Sequence, residues 1–91
     1  MDYGDYIDKV DGFDNLSQIE QVKYVAYFYT IINKSDHFAS PAVAEVFVKE
    51  NLDKPANVAD CLNKLCSRTP SILVKKGALY SFHRTAKKAL D

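Results

Sequence analysis

The chain has 91 residues, 47 % of them apolar and 26 % charged, with three glycines and three prolines. That excludes wholesale disorder and collagen-like or low-complexity chains, and a chain of this length buries about 60–65 % of its unfolded surface, enough for one modest core. Net charge is zero, and the longest run without a charge, Tyr24 to Asn33, is ten residues, about half of the ~20 that a bilayer span takes.

The acidic start lacks a basic stretch followed by an apolar run, so no signal peptide is expected, and a cytoplasmic location is. Tyr3, Ile7 and Val10 share one face of a helix over 2–10, which Gly12 would end. Residues 1–14 read equally as an acidic, partly ordered arm. Ser17 followed by Glu20 forms a capping box that opens a helix over 17–32. Ile19, Val22, Val25, Ala26, Phe28, Tyr29 and Ile32 give it a wide apolar stripe, and Tyr24, Tyr27 and Ile31 extend the stripe nearly all round. The aromatic run Tyr24, Tyr27, Phe28, Tyr29 invites a base-stacking role, but at helical spacing it reads as core.

Ser40 with Pro41 behind it predicts a second helix, ending near Asn51, with Val43, Val46 and Phe47 inward. Asn57 caps a third, running to about Ser67, with Val58, Cys61, Leu62 and Leu65 inward and Asp60, Asn63 and Lys64 outward. Pro70 halts further helix. Ile72-Leu73-Val74 and Leu79-Tyr80-Ser81-Phe82 read as two strands joined by a turn over 75–78, with Gly77 free to take positive φ and Lys75 and Lys76 at the tip. Thr85 caps a last short helix, 86–90, which has little reason to stand alone. The chain therefore reads as an N-terminal piece of a longer protein. The expected core is Ile19, Val22, Val25, Ala26, Phe28, Tyr29, Val43, Val46, Phe47, Val58, Leu62, Leu65, Ile72, Val74, Leu79 and Phe82.

Charge is divided along the chain. Residues 1–53 hold four lysines against ten acids, net −6, and residues 54–91 hold eight basic groups against two acids, net +6. An electropositive face on a neutral protein suits a polyanion, and the alternative is that the halves pair with each other or with a sister domain. Cys61 and Cys66 are five apart, which on a helix turns them about 140° from one another and precludes a bridge. His37 and His83 have no zinc-type spacing to them, so reduced thiols and no metal are expected. There is no GxSxG, P-loop or HExxH stretch, and the acids gather in the N-terminal arm, where solvation explains them. No catalytic residue, enzyme activity, cofactor or small-molecule ligand is expected.

The order of elements over 38–85 carries a resemblance. Phe38-Ala39-Ser40-Pro41, Val43…Val46-Phe47, Lys54-Pro55-Ala56-Asn57-Val58…Leu62…Leu65, Ile72-Leu73-Val74…Gly77…Leu79-Tyr80-Ser81-Phe82 and Thr85 resemble a winged helix-turn-helix domain, similar to the N-terminal winged-helix modules of multidomain prokaryotic proteins. The resemblance implies an α+β winged helix over 15–91, with 57–67 as recognition helix and 75–78 as wing tip. It implies duplex DNA as partner, with Asn57 and Asn63 reading bases and Lys64, Ser67, Lys75, Lys76 and Arg84 on phosphates. Asp60 on the same face departs from that pattern. The alternative is a protein-contact or dimerisation module, for which an exposed patch of Tyr24, Tyr27 or Ile31 is expected.

Overall fold

A computed structural model describes residues 3–68 and 71–90, without the side chains of Thr85 and Ala89. Pro70 lies outside the described residues. Five α-helices and one hairpin occur among them: α1 (Tyr3–Asp8), α2 (Gln18–Ile32), α3 (Ser40–Lys49), α4 (Val58–Cys66), β1 (Leu73–Lys76), β2 (Leu79–Phe82) and α5 (Arg84–Leu90). The fold is α+β and its layout is consistent with a winged helix.

Local chemistry explains the helix starts. The Ser17 hydroxyl accepts the Glu20 N–H at 3.3 Å, and Asn57 Oδ1 accepts the Asp60 N–H at 3.0 Å, each satisfying an otherwise unpaired amide. The reciprocal half of the Ser17 capping box is not made. The Glu20 carboxylate turns instead to Lys23 at 2.6 Å and to Arg68, beyond the end of α4, at 2.8 Å. Ser40 is not a cap either: α3 begins at Ser40 itself, and its N-cap is Ala39, without a side-chain bond. Likewise α5 begins at Arg84, so Thr85 lies inside it.

The core forms where α2, α3 and α4 pack on one another and α4 packs on β1. Val22, Val25, Ala26, Phe28, Val43, Val46, Phe47, Val58, Leu62 and Leu65 are buried there as expected. Ile19, Tyr29, Ile72 and Phe82 are half-buried against it. Phe13, in a 3-10 turn at Phe13–Asn15, and Phe38 are buried although no periodic pattern marks them. The near all-round apolar character of α2 is explained by α1. Tyr6 stacks on Phe28 with centroids 5.1 Å apart, the Tyr3 hydroxyl accepts from Asn33, and Ile7 and Val10 pack on the core. Tyr27 is buried and Tyr24 half-buried; of the three residues expected in an exposed patch only Ile31 stands out, at 37 % exposure.

The hairpin departs from its expected register. Leu73 pairs with Phe82, Val74 with Ser81, Lys75 with Tyr80 and Lys76 with Leu79, around a two-residue turn of Gly77 and Ala78. Gly77 takes φ +61°, the conformation such a turn requires at its first position. Lys75 and Lys76 are therefore strand residues, not turn residues. Leu73 and Tyr80 face the core, whereas Val74 and Leu79, expected inside, lie on the outer face. The reason is the period of two: once Tyr80 and Phe82 turn inward, Leu79 cannot. An isolated antiparallel bridge joins Phe38 to Tyr80 through both N–H groups, at 2.9 and 2.8 Å, and stitches the hairpin to the segment before α3.

Glu20 links α2 to the end of α4, and the Lys23 and Arg68 contacts hold its carboxyl below the usual carboxylate range. A lowered folded-state pKa means that the unfolded chain binds the proton first. Stability from this group is thus present above the unfolded pKa and lost as pH falls through the folded one. Thermal unfolding should show Glu20→Gln less stable than the parent near pH 7, with the difference closing below about pH 4; a difference independent of pH would contradict it.

Candidate nucleic-acid interface

The outward face of α4 and the wing meet at one hydrogen bond. The Tyr80 hydroxyl, on a side chain only 3 % exposed, donates to Asn63 Oδ1 at 2.8 Å. Tyr80 rises from β2, and its cross-strand neighbour Lys75 lays its ammonium 5.5 Å from the centre of the Tyr80 ring. Lys75, Tyr80 and Asn63 thus form one continuous patch from wing to helix. Lys76, one residue on, faces the opposite side of the hairpin with Leu79, so the two lysines do not act as a pair at a tip.

Three of the other expected contact groups are already engaged. Lys64 Nζ lies 3.1 Å from Asp60 Oδ2, one helical turn earlier, with both side chains more than half exposed. An exposed i,i+4 pair of this kind contributes only about 0.3–0.5 kcal/mol, so the ammonium is readily redirected to a stronger anion. Asn57 has its oxygen on the α4 amide. The Ser67 hydroxyl donates to the Asn63 carbonyl at 3.1 Å at the end of α4, which occupies the proton a phosphate contact would need. Arg84 stands apart from the patch, in a shallow cleft of about 320 Å³ with Asp36, His37, Phe82 and Lys87.

Sequence reasoning missed Tyr80, the residue that couples wing to helix. Its signal was its place between Leu79 and Phe82, where parity makes it the inward neighbour of Phe82. Cys61 is buried and Cys66 half-buried; both thiols are free, and burial pushes both above the ordinary thiol range. Among the described residues no group of three His, Cys, Asp or Glu side chains could hold a metal ion, and no helix is long and apolar enough to cross a membrane. No family model, curated protein or solved structure matches the chain.

Proposed function

We propose that this domain is a winged helix that binds duplex DNA, with α4 in the major groove and the β1–β2 wing on the adjacent backbone. The observation that carries the reading is the Tyr80–Asn63 bond. It fixes the outward face of α4 beside a lysine-bearing strand. A helix fits the major groove, and lysines on a hairpin suit backbone phosphates. Lys64, Lys75 and Lys76 supply phosphate contacts, and Asn57 and Asn63 face the groove.

The test is fluorescence anisotropy with a generic labelled duplex. With about three phosphates neutralised, one for each of these lysines, affinity falls about 40-fold between 50 and 200 mM salt. No binding at 50 mM salt and high micromolar protein would refute the proposal. A second expectation concerns Asp60, whose carboxylate repels phosphate and holds Lys64. Asp60→Asn should tighten binding about three- to tenfold at 50 mM salt, and less at 200 mM, because the gain is electrostatic. Unchanged affinity would mean that α4 does not approach the backbone.

A further inference from the structure

We infer that the cleft at the start of α5 binds a small phosphorylated polyol, with the phosphate on Arg84 and Lys87 and a hydroxyl on Asp36. This site is separate from the proposed DNA interface and does not depend on it. The cleft encloses about 320 Å³, at the lower end of the range of small-molecule sites, about 300–1,000 Å³. Four segments line it: Thr30 of α2, Asp36 and His37 before α3, Ser81 and Phe82 of β2, and Arg84 and Lys87 of α5. These segments are distant in sequence, so no local pattern announces a ligand.

The charges single the cleft out. Arg84 and Lys87 are three apart on α5 and so share a face. Both are exposed, and neither forms an ion pair with a described residue, whereas Lys23, Lys64 and Arg68 are each held by a carboxylate. Asp36 lines the same cleft yet lies outside ion-pair distance of both. Two cations on one hollow suit phosphate oxygens: the guanidinium offers paired N–H donors and the ammonium a compact charge. His37 adds at least one ring N–H in either protonation state. Asp36 has the opposite chemistry. A carboxylate accepts and repels phosphate, so its fit is to a donor, and the donors of a phosphorylated polyol are its hydroxyls. The combination favours such a molecule over bare phosphate.

The walls are tied to one another by backbone bonds. The Ser35 hydroxyl donates to the His37 carbonyl at 2.8 Å, and the Ser35 N–H donates to the Thr30 carbonyl at 3.1 Å, which fastens this stretch to the end of α2. The Phe38–Tyr80 bridge fastens it to β2, and the Phe82 ring meets the Tyr27 ring edge-on at 5.7 Å. The His83 N–H donates to the Ile72 carbonyl at 2.8 Å and anchors the start of α5 to the hairpin. The cleft is therefore largely formed without a ligand, as small-molecule sites usually are.

The test is an NMR titration of the full chain at 50 mM salt with three probes: ribose phosphate (phosphorylated at its primary hydroxyl), inorganic phosphate and ribose. Ribose phosphate should shift the backbone amides of His37, Ser81 and Lys87 saturably and bind at least about fivefold more tightly than inorganic phosphate, while ribose leaves them unmoved. Arg84→Ala and Lys87→Ala should each weaken ribose phosphate about tenfold. Asp36→Ala should weaken it about threefold while inorganic phosphate binds as tightly or more tightly, a split that charge alone does not produce. All three positions are exposed, so the fold should persist, and unmoved amides elsewhere check that. No saturable shift with either phosphate compound would overturn the inference. So would equal binding by the parent and the Arg84→Ala, Lys87→Ala double variant, or an Asp36→Ala variant that binds both compounds more tightly. A labelled duplex separates the cleft from the DNA interface. Lys87→Ala should change duplex affinity by no more than about threefold at 50 mM salt, and a loss of about tenfold would assign the cleft to the nucleic-acid backbone, overturning the inference while leaving the DNA-binding reading in place.

Discussion

Reversing both wing charges, Lys75→Glu with Lys76→Glu, is expected to lower duplex affinity about 100-fold at 50 mM salt, close to tenfold for each contact replaced by repulsion. It should also cut the salt slope to about a third, from about −2.7 to about −0.9 in log–log form, because two of about three phosphate contacts are lost. The fold should survive. Both side chains are exposed, and the loss of Lys75 from the Tyr80 ring costs about 0.5–1 kcal/mol. The two single reversals should not be equal. Lys75 is on the side of the hairpin that Tyr80 occupies and continues toward α4, whereas Lys76 is on the outer side with Val74, Leu79 and Ser81. Lys75→Glu is expected to carry the larger share. Full binding by the double variant would refute the wing's role in the proposed interface.

Phe47→Ala should produce the largest stability loss. Phe47 is fully buried, and truncating a buried phenylalanine costs about 3–5 kcal/mol through lost transfer energy and the cavity left behind. A domain of this size has only about 5–14 kcal/mol in total. The urea midpoint should therefore fall steeply with little change in slope, and Tm should drop by roughly 15 °C or more. The control is its neighbour Val48, 64 % exposed on the outer side of α3, where alanine should change stability by no more than about 0.5 kcal/mol. Comparable effects at the two positions would mean that α3 does not pack in the orientation described.

The helices were legible because their signals are local and repeated. Ser17 and Asn57 cap where their side chains promise, and the 3.6-residue stripes of α2, α3 and α4 point inward together. The hairpin was legible as a hairpin but not in its facing. Ile72-Leu73-Val74 is apolar on both parities, and Leu79 and Phe82 are on opposite parities. Only the tertiary demand that Tyr80 stack on Phe38, centroids 6.1 Å apart, decides which side is buried. Phe38 and Phe13 were invisible to period-based reading because each is a single aromatic anchor in an irregular stretch. The candidate interface was legible in residue types and less so in their state. The sequence pairs Asp60 with Lys64 at helical spacing, but the engagement of Asn63 by Tyr80 and of Glu20 by Arg68 spans distant segments, which no local pattern encodes.

The bridge between Phe38 and Tyr80 has a consequence for association. It pins the wing at Tyr80, two residues past the turn, to the helical body through paired backbone bonds and a ring stack, so the hairpin does not swing as a loose arm. The spacing between β1 and α4 is then fixed on folding. The ordering entropy that a mobile wing would lose on meeting its partner has already been lost, and more of each contact's free energy is retained as affinity.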